Sequence, residues 1–323
     1  MRPPEFWSRN DLISRTVACA LSPVGLLYGA SVAWKHRWQT SYRSRAAVVC
    51  VGNLTVGGSG KTPVAIAIAR MFRAQGIAVI FILRGYGRRS TETILVDAQK
   101  HAAAAVGDEA LLLAEIAPTI VARDRAEGAR LAEREGAEVI IMDDGHQNFA
   151  LAKDLSLIVV DGETGLSNGR LIPAGPLREP ARQGLDRADA VIVMGEGSPP
   201  LPDFARPVIR ARLLSDNRLD GRPVVAFAGM GRPDKFFASL RTQGANLVET
   251  HRFADHHAYS AAEIATLRRR ATSTGAALMT TEKDFVRLNA NDRAGIDVLP
   301  VKAVFGDPAA IERLFAPVLK GLK

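Results

Sequence analysis

The stretch GNLTVGGSGKTP, residues 52–63, follows the apolar run AAVVCV and precedes the helical pattern PVAIAIARMFRAQG. A strand that feeds a glycine-rich loop, followed by a helix, is the arrangement of a phosphate-binding loop, whose backbone amides surround phosphate oxygens. Thr55 stands where the general pattern has its first glycine, but the flanking strand and helix are intact. The stretch therefore predicts a binding site for a nucleoside triphosphate.

Two side chains of this loop carry chemistry. Lys61 can reach the β- and γ-phosphates, and Thr62 can offer its hydroxyl to Mg²⁺. Lys61 also counts as a catalytic residue, because its charge stabilises a phosphoryl group during transfer. The predicted nucleotide contacts are Thr55, Val56, Gly57, Gly58, Ser59, Gly60, Lys61 and Thr62.

An acidic pair ends a second apolar run, in the string EVIIMDDGHQ. Asp143 and Asp144 are placed as expected of carboxylates that hold Mg²⁺ or its waters beside a phosphate loop. Taken alone, such a pair also fits a solvated turn. The phosphate loop upstream favours the metal site, with Thr62, Asp143 and Asp144 as ligands.

Apolar runs of strand length alternate with helical segments through much of the chain. Those before residue 195 are AAVVCV, IAVIFIL, PTIVA, EVIIM, LSLIVV and ADAVIVM. The alternation predicts an α/β fold in which a P-loop domain has a mostly parallel sheet flanked by helices. Ligands should bind beyond the carboxyl ends of its strands.

Composition shifts divide the chain into parts. We expect an N-terminal amphipathic helical segment at 1–45, a P-loop domain at 46–205 and a smaller α/β domain at 206–306, after a stretch rich in Pro and Gly. The strings RPVIRARL and DVLPVKAVF are predicted to pair as a short two-stranded connector. That connector would let the last helix, 307–323, pack back on the P-loop domain.

The formal charge of +8 is concentrated near the N-terminus, where residues 1–45 hold seven Lys or Arg and two Asp or Glu. No long basic groove with interleaved aromatic residues stands out elsewhere, so we do not expect a nucleic-acid partner. Cys19 and Cys50 lack the spacing of a metal site or a disulfide framework and are expected to be core residues.

The N-terminal run VACALSPVGLLYGASVAW, residues 17–34, is uncharged and is followed by a basic cluster. It is short for a spanning helix, and Ser22 and Pro23 are typical of a cap and first turn, which predicts two helices rather than one. It also lacks the apolar region that a signal peptide needs before its cleavage site.

A helix that starts after Ser22 would have an aromatic, mostly apolar stripe formed by Val24, Leu27, Tyr28, Ser31, Trp34 and Trp38. Cations at the end of such a stripe suit a helix that lies in a bilayer interface. The alternative is a helix that packs against the core of the protein itself.

Seven strings, taken together, resemble the tetraacyldisaccharide 4'-kinase family of lipid A synthesis. They are GNLTVGGSGKTP, RGYGR (84–88), GDEALLLA (107–114), DDGHQ (143–147), NGRLIPAGPLREP (168–180), DHH (255–257) and TEKD (281–284). Their order and spacing run through nearly the whole chain. The family more often has DDGFQ, so His146 is a departure that leaves the acidic pair intact.

The resemblance implies an ATP- and Mg²⁺-dependent transfer of phosphate to the 4'-hydroxyl of a tetraacylated glucosamine disaccharide 1-phosphate. It identifies Asp108 and His256 as the pair that removes the hydroxyl proton. From the residues alone, Asp108 could equally cap a helix and His256 could be structural, while Glu109 could serve a helix dipole or be a further metal ligand. Because His256 belongs to the smaller domain, domain closure would assemble the site.

Basic loops at the edge of the predicted sheet are candidates for substrate binding. Arg84 and Arg88 follow the second strand, where they could meet the substrate 1-phosphate or the nucleotide. The alternative for any one of them is a solvated charge. The predicted substrate-binding residues are Arg84, Arg88, Asn168, Arg178 and Glu179, while Thr281, Glu282 and Lys283 are ligand-facing or structural.

The resemblance also implies a peripheral protein at the cytoplasmic face of the inner membrane, with an acylated disaccharide as substrate and no obligate protein partner. The alternative from another class is a membrane-associated P-loop ATPase that acts as a switch or chaperone. A GTPase is disfavoured because no NKxD-type base reader is present, and Val56 replaces the lysine expected of a membrane-cycling ATPase.

Overall fold

The computed structural model describes residues 4–88 and 90–322. Its helices are α1 (Leu12–Trp38), α2 (Lys61–Ala74), α3 (Ala103–Val106), α4 (Asp108–Ala114), α5 (Arg125–Arg134), α6 (Ala181–Asp186), α7 (Pro233–Thr242), α8 (Ala261–Ser273), α9 (Glu282–Phe285) and α10 (Pro308–Gly321). Its strands are β1 (Ala47–Gly52), β2 (Val79–Leu83), β3 (Ile94–Leu95), β4 (Thr119–Val121), β5 (Val139–Asp143), β6 (Leu155–Asp161), β7 (Ala190–Met194), β8 (Val208–Leu214), β9 (Pro223–Ala228), β10 (Asn246–Arg252), β11 (Ala277–Thr281), β12 (Ile296–Leu299) and β13 (Lys302–Phe305).

The larger sheet has the strand order β13-β8-β7-β6-β1-β5-β2-β4-β3. Neighbours from β8 through β4 in this order are parallel, and β13 and β3 are antiparallel at the two edges. Its central strands are apolar throughout because both faces are covered. This topology confirms the predicted α/β fold with a mostly parallel sheet, and it places the loop after β1 at the centre of one sheet edge.

Helices cover both faces of this sheet. Residues of α2, α4 and α10 share one apolar cluster with β1, and α5 packs on the opposite face. The last helix, α10, lies on α2, where the rings of Phe315 and Phe72 meet edge to face with centroids 5.2 Å apart. One side of α2 therefore packs on apolar residues of α10.

The string DVLPVKAVF, predicted to be one strand, forms two. Its first half is β12, and its second half is β13, which pairs antiparallel with β8. Because β8 also pairs with β7, the connector strands extend the edge of the larger sheet instead of standing apart. A separate parallel sheet, in the order β10-β9-β11-β12, then forms the smaller α/β unit.

The N-terminal helix α1 is continuous, which corrects the predicted division at Ser22 and Pro23. Asp11 caps its start by accepting a hydrogen bond from the Ser14 N–H at 2.9 Å. Pro23 lies inside the helix, where it has no N–H to donate and its ring crowds the preceding turn. The hydroxyl of Ser22 donates to the Ala18 carbonyl at 2.7 Å, a bond made within the helix instead of a new cap.

The surface of α1 is unusual because its large side chains are exposed and its small ones are buried. The buried positions are Ser14, Ala18, Gly25 and Gly29. The exposed large apolar residues are Leu12, Ile13, Val17, Val24, Leu26, Leu27, Tyr28, Trp34 and Trp38. By length and composition alone the helix is apolar enough to cross a membrane. The predicted stripe therefore does not pack on the core of the chain.

Candidate active site

The phosphate loop connects β1 to α2. Gly60 immediately precedes α2 with a φ of +87°, a left-handed conformation that glycine adopts without strain. Thr55 forms an antiparallel bridge with Leu177, and the Val56 N–H donates to the Pro176 carbonyl at 2.8 Å. This extended pairing accommodates a side chain where other phosphate loops have glycine. It also directs the Val56 N–H toward the 168–180 loop.

Asp143 ends β5 and is buried beside the start of α2. The Thr62 hydroxyl donates to its Oδ2 at 2.8 Å, while Oδ1 is buried and has no hydrogen-bond partner within residues 4–88 and 90–322. Burial, together with the nearby negative charge of Glu109 and Asp144, raises the pKa of Asp143 to about 7, although Lys61 acts in the opposite direction. A bound cation would satisfy the free oxygen and favour the ionised carboxylate.

Asp144 has cationic neighbours. Arg178 donates to its Oδ1 at 2.7 Å, and the Lys61 ammonium lies 3.6 Å from the same oxygen. Burial opposes ionisation, but Lys61 and Arg178 lower the pKa of Asp144 to about 2. The two adjacent carboxylates therefore differ: Asp144 is held ionised by cations, whereas Asp143 has an oxygen available to a metal ion.

The four predicted metal ligands are not equally available. Within residues 4–88 and 90–322, no group of three or more His, Cys, Asp or Glu side chains is arranged to hold a metal ion. The Lys283 ammonium donates a hydrogen bond to the Glu109 carboxylate at 3.0 Å. Asp144 already pairs with Arg178 and Lys61. Thr62 and Asp143 present hard oxygen atoms of the type that Mg²⁺ prefers when substrate phosphates complete its coordination. These two residues fit the ion best.

Asp108 lies in the first turn of α4 and is buried. Its Oδ2 accepts hydrogen bonds from His256 Nδ1 at 3.0 Å and from Nε and NH2 of Arg287. Burial alone would raise its pKa, but His256, Lys283 and Arg287 together hold the pKa well below its usual range. The structure thus brings the predicted pair Asp108 and His256 together across the two domains.

His256 is held in a fixed orientation. Because Asp108 is ionised and can only accept, the proton lies on Nδ1 of His256. Its backbone has a φ of +57°, and its ring lies 6.1 Å from that of Tyr86. The side chain is more than one third exposed, and its other nitrogen, Nε2, lies 3.9 Å from Oδ1 of Asp255.

A second set of ion pairs joins the two domains on the other side of the phosphate loop. Asp161, at the end of β6, accepts from Lys235 at 2.8 Å and from Arg232 at 3.0 Å. Burial opposes its ionisation, but these two cations help to lower the pKa of Asp161 to about 2. No motif in the sequence marked these residues, because the contact depends on how the two sheets are placed.

The predicted basic loop lies near one arginine that the sequence analysis missed. Arg84 is exposed, whereas Arg88 is half-buried and its NH2 has no partner among the residues that the structure describes. The missed residue is Arg125, the first residue of α5, which is buried and whose Nε has no partner in the same described residues. Burial lowers the pKa of Arg125 to about 10, with the charges of Arg84 and Arg88 acting in the same direction and Asp144 opposing them. These three guanidinium groups form a cationic cluster at the carboxyl ends of β2 and β4.

The remaining predicted substrate residues mostly stabilise their own loop. The Asn168 amide bonds to backbone groups of that loop at 3.0 and 3.1 Å. Glu179 is buried, accepts from Gln147 at 2.8 Å and pairs with Arg187. Of Asn168, Arg178 and Glu179, only Arg178 reaches the acidic pair.

His146 is fully buried behind the acidic pair. Its Nε2 lies 2.9 Å from the carbonyl of Gly184, which can only accept, so the proton is on Nε2. Its Nδ1, 3.0 Å from the Ser156 hydroxyl, is then an acceptor. Burial lowers the pKa of His146 to about 3. The ring is therefore neutral and ties β5 to β6 and α6 through bonds that a phenylalanine would not make.

The 168–180 loop also contacts the N-terminal helix. A Cβ at Gly29 would lie 2.7 Å from Leu171 Cδ1, and one at Gly25 would lie 3.1 Å from the Leu171 carbonyl oxygen. Arg170 donates to the Ser22 hydroxyl. The loop that positions Arg178 therefore packs directly on α1, through glycines that permit the close approach.

Comparison with known proteins gives consistent matches over nearly the whole chain. The sequence model of the family described as tetraacyldisaccharide-1-P 4'-kinase matches residues 17–320. The tetraacyldisaccharide 4'-kinase of Paramagnetospirillum magneticum is 49% identical and is covered, like this chain, over 98% of its length. The corresponding protein of Rhodospirillum rubrum is 47% identical, with 99% of each chain covered. A crystal structure of LpxK from Aquifex aeolicus in complex with ATP is similar with a TM-score of 0.77 at 28% identity, over 93% of this chain and 99% of that one.

Proposed function

The chain belongs to the tetraacyldisaccharide-1-phosphate 4'-kinase family, and from this premise we propose how its residues perform the reaction. The resemblance predicted from the sequence motifs is confirmed by the family match. The protein is an ATP-dependent kinase of lipid A biosynthesis that phosphorylates the 4'-hydroxyl of a tetraacylated glucosamine disaccharide 1-phosphate.

The observation that carries the proposed site is the meeting of Asp108 and His256 beside the acidic pair. Asp108 comes from α4 of the larger domain and His256 from the smaller domain, with 3.0 Å between the bonded atoms. Glu109, the next residue, is close enough to raise the pKa of Asp143. A substrate hydroxyl bound at Asp108 would therefore be near ATP phosphates that are bound by Lys61 and Thr62.

In the proposed step, the 4'-oxygen forms a bond to the γ-phosphorus while the bond from that phosphorus to the β,γ-bridging oxygen breaks and ADP leaves. The hydroxyl proton passes to Asp108. Phosphoryl transfer has a loose transition state, so the proton leaves late and a well-placed weak base is sufficient. His256 orients the carboxylate, and Lys61 stabilises the transferring charge.

Thr62 and Asp143 would hold Mg²⁺, with Glu109 and Asp144 nearby. When bound, the ion neutralises charge on the β- and γ-phosphates. The residues around it have separate tasks: Arg178 and Lys61 keep Asp144 ionised, and Lys283 fixes Glu109. The partnerless Oδ1 of Asp143 is the observation that supports this assignment.

We place the lipid substrate between the cationic cluster and α1. The guanidinium groups of Arg84 and Arg88 suit the substrate 1-phosphate, since arginine binds phosphate through paired N–H donors. The exposed apolar side chains of α1 suit acyl chains and the bilayer interface. The protein would then act as a peripheral enzyme at the cytoplasmic face of the inner membrane.

The test is incubation of the full chain with γ-labelled ATP, Mg²⁺ and the tetraacylated disaccharide 1-phosphate. Label should enter the lipid, and Lys61→Ala should abolish the transfer. Lys100→Ala is the matched control, because Lys100 is an exposed lysine whose ion pair is with Asp97. Release of labelled inorganic phosphate that does not depend on the acceptor would instead indicate a switch ATPase and refute the proposal.

A further inference from the structure

Arg287 lies just after α9 in the smaller domain, and its side chain is buried. Its Nε and NH2 groups both donate to Oδ2 of Asp108, with 2.7 Å for the Nε bond. Its NH1 group donates to the Gly229 carbonyl at 2.7 Å and to Oδ1 of Asp284 at 2.8 Å. One guanidinium therefore bridges the smaller domain and the proposed proton acceptor of the larger one.

The anchor of Arg287 within the smaller domain is rigid. Asp284 is fully buried, and its Oδ1 also accepts from the Tyr259 hydroxyl at 2.9 Å and the Gly229 N–H at 3.0 Å. Its Oδ2 accepts from the Thr281 hydroxyl at 2.6 Å. Because every bond of this anchor lies within the smaller domain, that domain fixes the position in which the Arg287 guanidinium meets Asp108.

The bonds to Asp108 are unequally divided between its two oxygens. Oδ2 accepts hydrogen bonds from Arg287 and His256, whereas Oδ1 accepts, among the residues that the structure describes, only from the Glu109 N–H at 2.9 Å. A carboxylate oxygen with one donor retains a lone pair, so Oδ1 can still accept from a substrate hydroxyl. The charged groups that face this carboxylate are Arg287, His256 and Lys283, with Glu109 adjacent and Asp284 behind Arg287.

We propose that Arg287 is a positioning residue for phosphoryl transfer: its guanidinium binds Oδ2 of Asp108 and fixes the carboxylate so that Oδ1 is left to accept from the acceptor hydroxyl. The proposal rests on the proposed function and adds a residue that does not touch the substrate. Its specific consequence is that loss of the guanidinium lowers kcat per folded enzyme through Asp108 and leaves the KM for ATP nearly unchanged. A residue with a merely structural role would instead lower the amount of folded protein, which kcat per folded enzyme does not register.

The test measures kcat per folded enzyme and the KM for ATP, at saturating acceptor, for the wild type, Arg287→Gln and Arg287→Lys. For Arg287→Gln we expect kcat to fall about 10- to 100-fold with the KM for ATP changed less than about threefold. In Arg287→Lys the charge remains, but one ammonium cannot reproduce the forked guanidinium bonds to Asp108, Asp284 and the Gly229 carbonyl, so kcat should also fall. In the Asp108→Ala background, Arg287→Gln should lower kcat little further, because the guanidinium acts through Asp108.

Arg232→Gln is the matched control. It also removes an arginine that crosses between the domains, but its partners are Asp161 and Thr164. Its kcat should stay within about threefold of that of the wild type. Circular dichroism establishes that each variant is folded, and if Arg287→Gln is not, Arg287→Lys decides.

Two results would overturn the inference. The first is a folded Arg287→Gln that keeps the kcat of the wild type, or that lowers kcat as much in the Asp108→Ala background as in the wild type. The second is a folded Arg287→Lys with wild-type kcat, since the two-pronged guanidinium would then position nothing. Wild-type protein that transfers no label to the lipid would refute the proposed function instead, so the two failures are distinguishable.

Discussion

The exposed face of α1 allows a quantitative prediction about membrane binding. The perturbation is the double substitution Leu27→Glu and Trp34→Glu in the full chain. Both side chains lie on the exposed face, whereas the contacts of α1 with the rest of the protein involve Gly25 and Gly29 on its buried side. The substitutions should therefore leave the folded structure intact and remove only the apolar contact with lipid.

The size of the effect follows from the exposed area. Leu27 exposes 74% of its surface and Trp34 exposes 65%. Complete burial of a large apolar side chain contributes about 2 kcal/mol, so lipid contact at these exposures contributes about 3 kcal/mol for the pair. At about 1.4 kcal/mol per tenfold change, membrane partition should fall by roughly two decades, and the added carboxylates would weaken it further.

Flotation with vesicles that contain anionic lipid measures this partition, and circular dichroism verifies folding. Val248→Glu is a matched control, because Val248 is an exposed apolar residue on β10 of the smaller domain. It should float like the wild type. The KM for a long-chain acceptor should rise in the double variant more than the KM for ATP. Equal flotation of the wild type and a well-folded double variant would refute the interfacial role of α1.

Three further predictions concern the active site. Lys61→Ala and Thr62→Ala should each lose most activity, since they remove phosphate neutralisation and a metal ligand; turnover near that of the wild type would contradict the loop assignment. Asp108→Ala and His256→Ala should each lower kcat by about two to four decades, and the double variant should be little worse than either single variant. If the fold-decreases in kcat of the two single variants multiply in the double variant, the two residues do not act as a pair. The pKa of Asp143 is raised to about 7 and Mg²⁺ binds the ionised form, so the affinity for Mg²⁺ in the presence of ATP should rise as the pH increases through 7 and then level off. Calorimetry in buffers of different ionisation enthalpy should detect proton release on Mg²⁺ binding below pH 7. An affinity that does not change with pH would count against Asp143 as a ligand.

Some parts of the molecule could be read from local sequence. The phosphate loop, the acidic pair after β5 and the alternating apolar runs each depend on neighbours within a few residues, because glycine conformation, helix starts and strand burial are local properties. The secondary structure of the stretch 297–305 was harder to predict from the sequence. Its division into β12 and β13 depends on which sheet each half joins, and that is not a local property.

The helix α1 shows where a local rule gives way to its context. Ser22 followed by Pro23 is a sound signal for a helix start, yet α1 continues through both. A proline inside a helix costs about 3 kcal/mol, so the signal describes a real preference. Here the preference is overcome within a 27-residue helix whose small buried residues pack on the 168–180 loop.

The sequence by itself determined the residue types available to the site, including Lys61, Thr62 and the acidic pair, because those residues lie on one continuous strand, loop and helix or follow a neighbouring strand. Only the tertiary structure decided which charges meet. Arg287 is 179 positions from Asp108, yet it binds this carboxylate directly, and Glu179 is turned into the protein instead of toward a ligand. The physical reason is that a contact between distant residues depends on the placement of two sheets and on the burial of every group between them. No spacing along the chain encodes that placement.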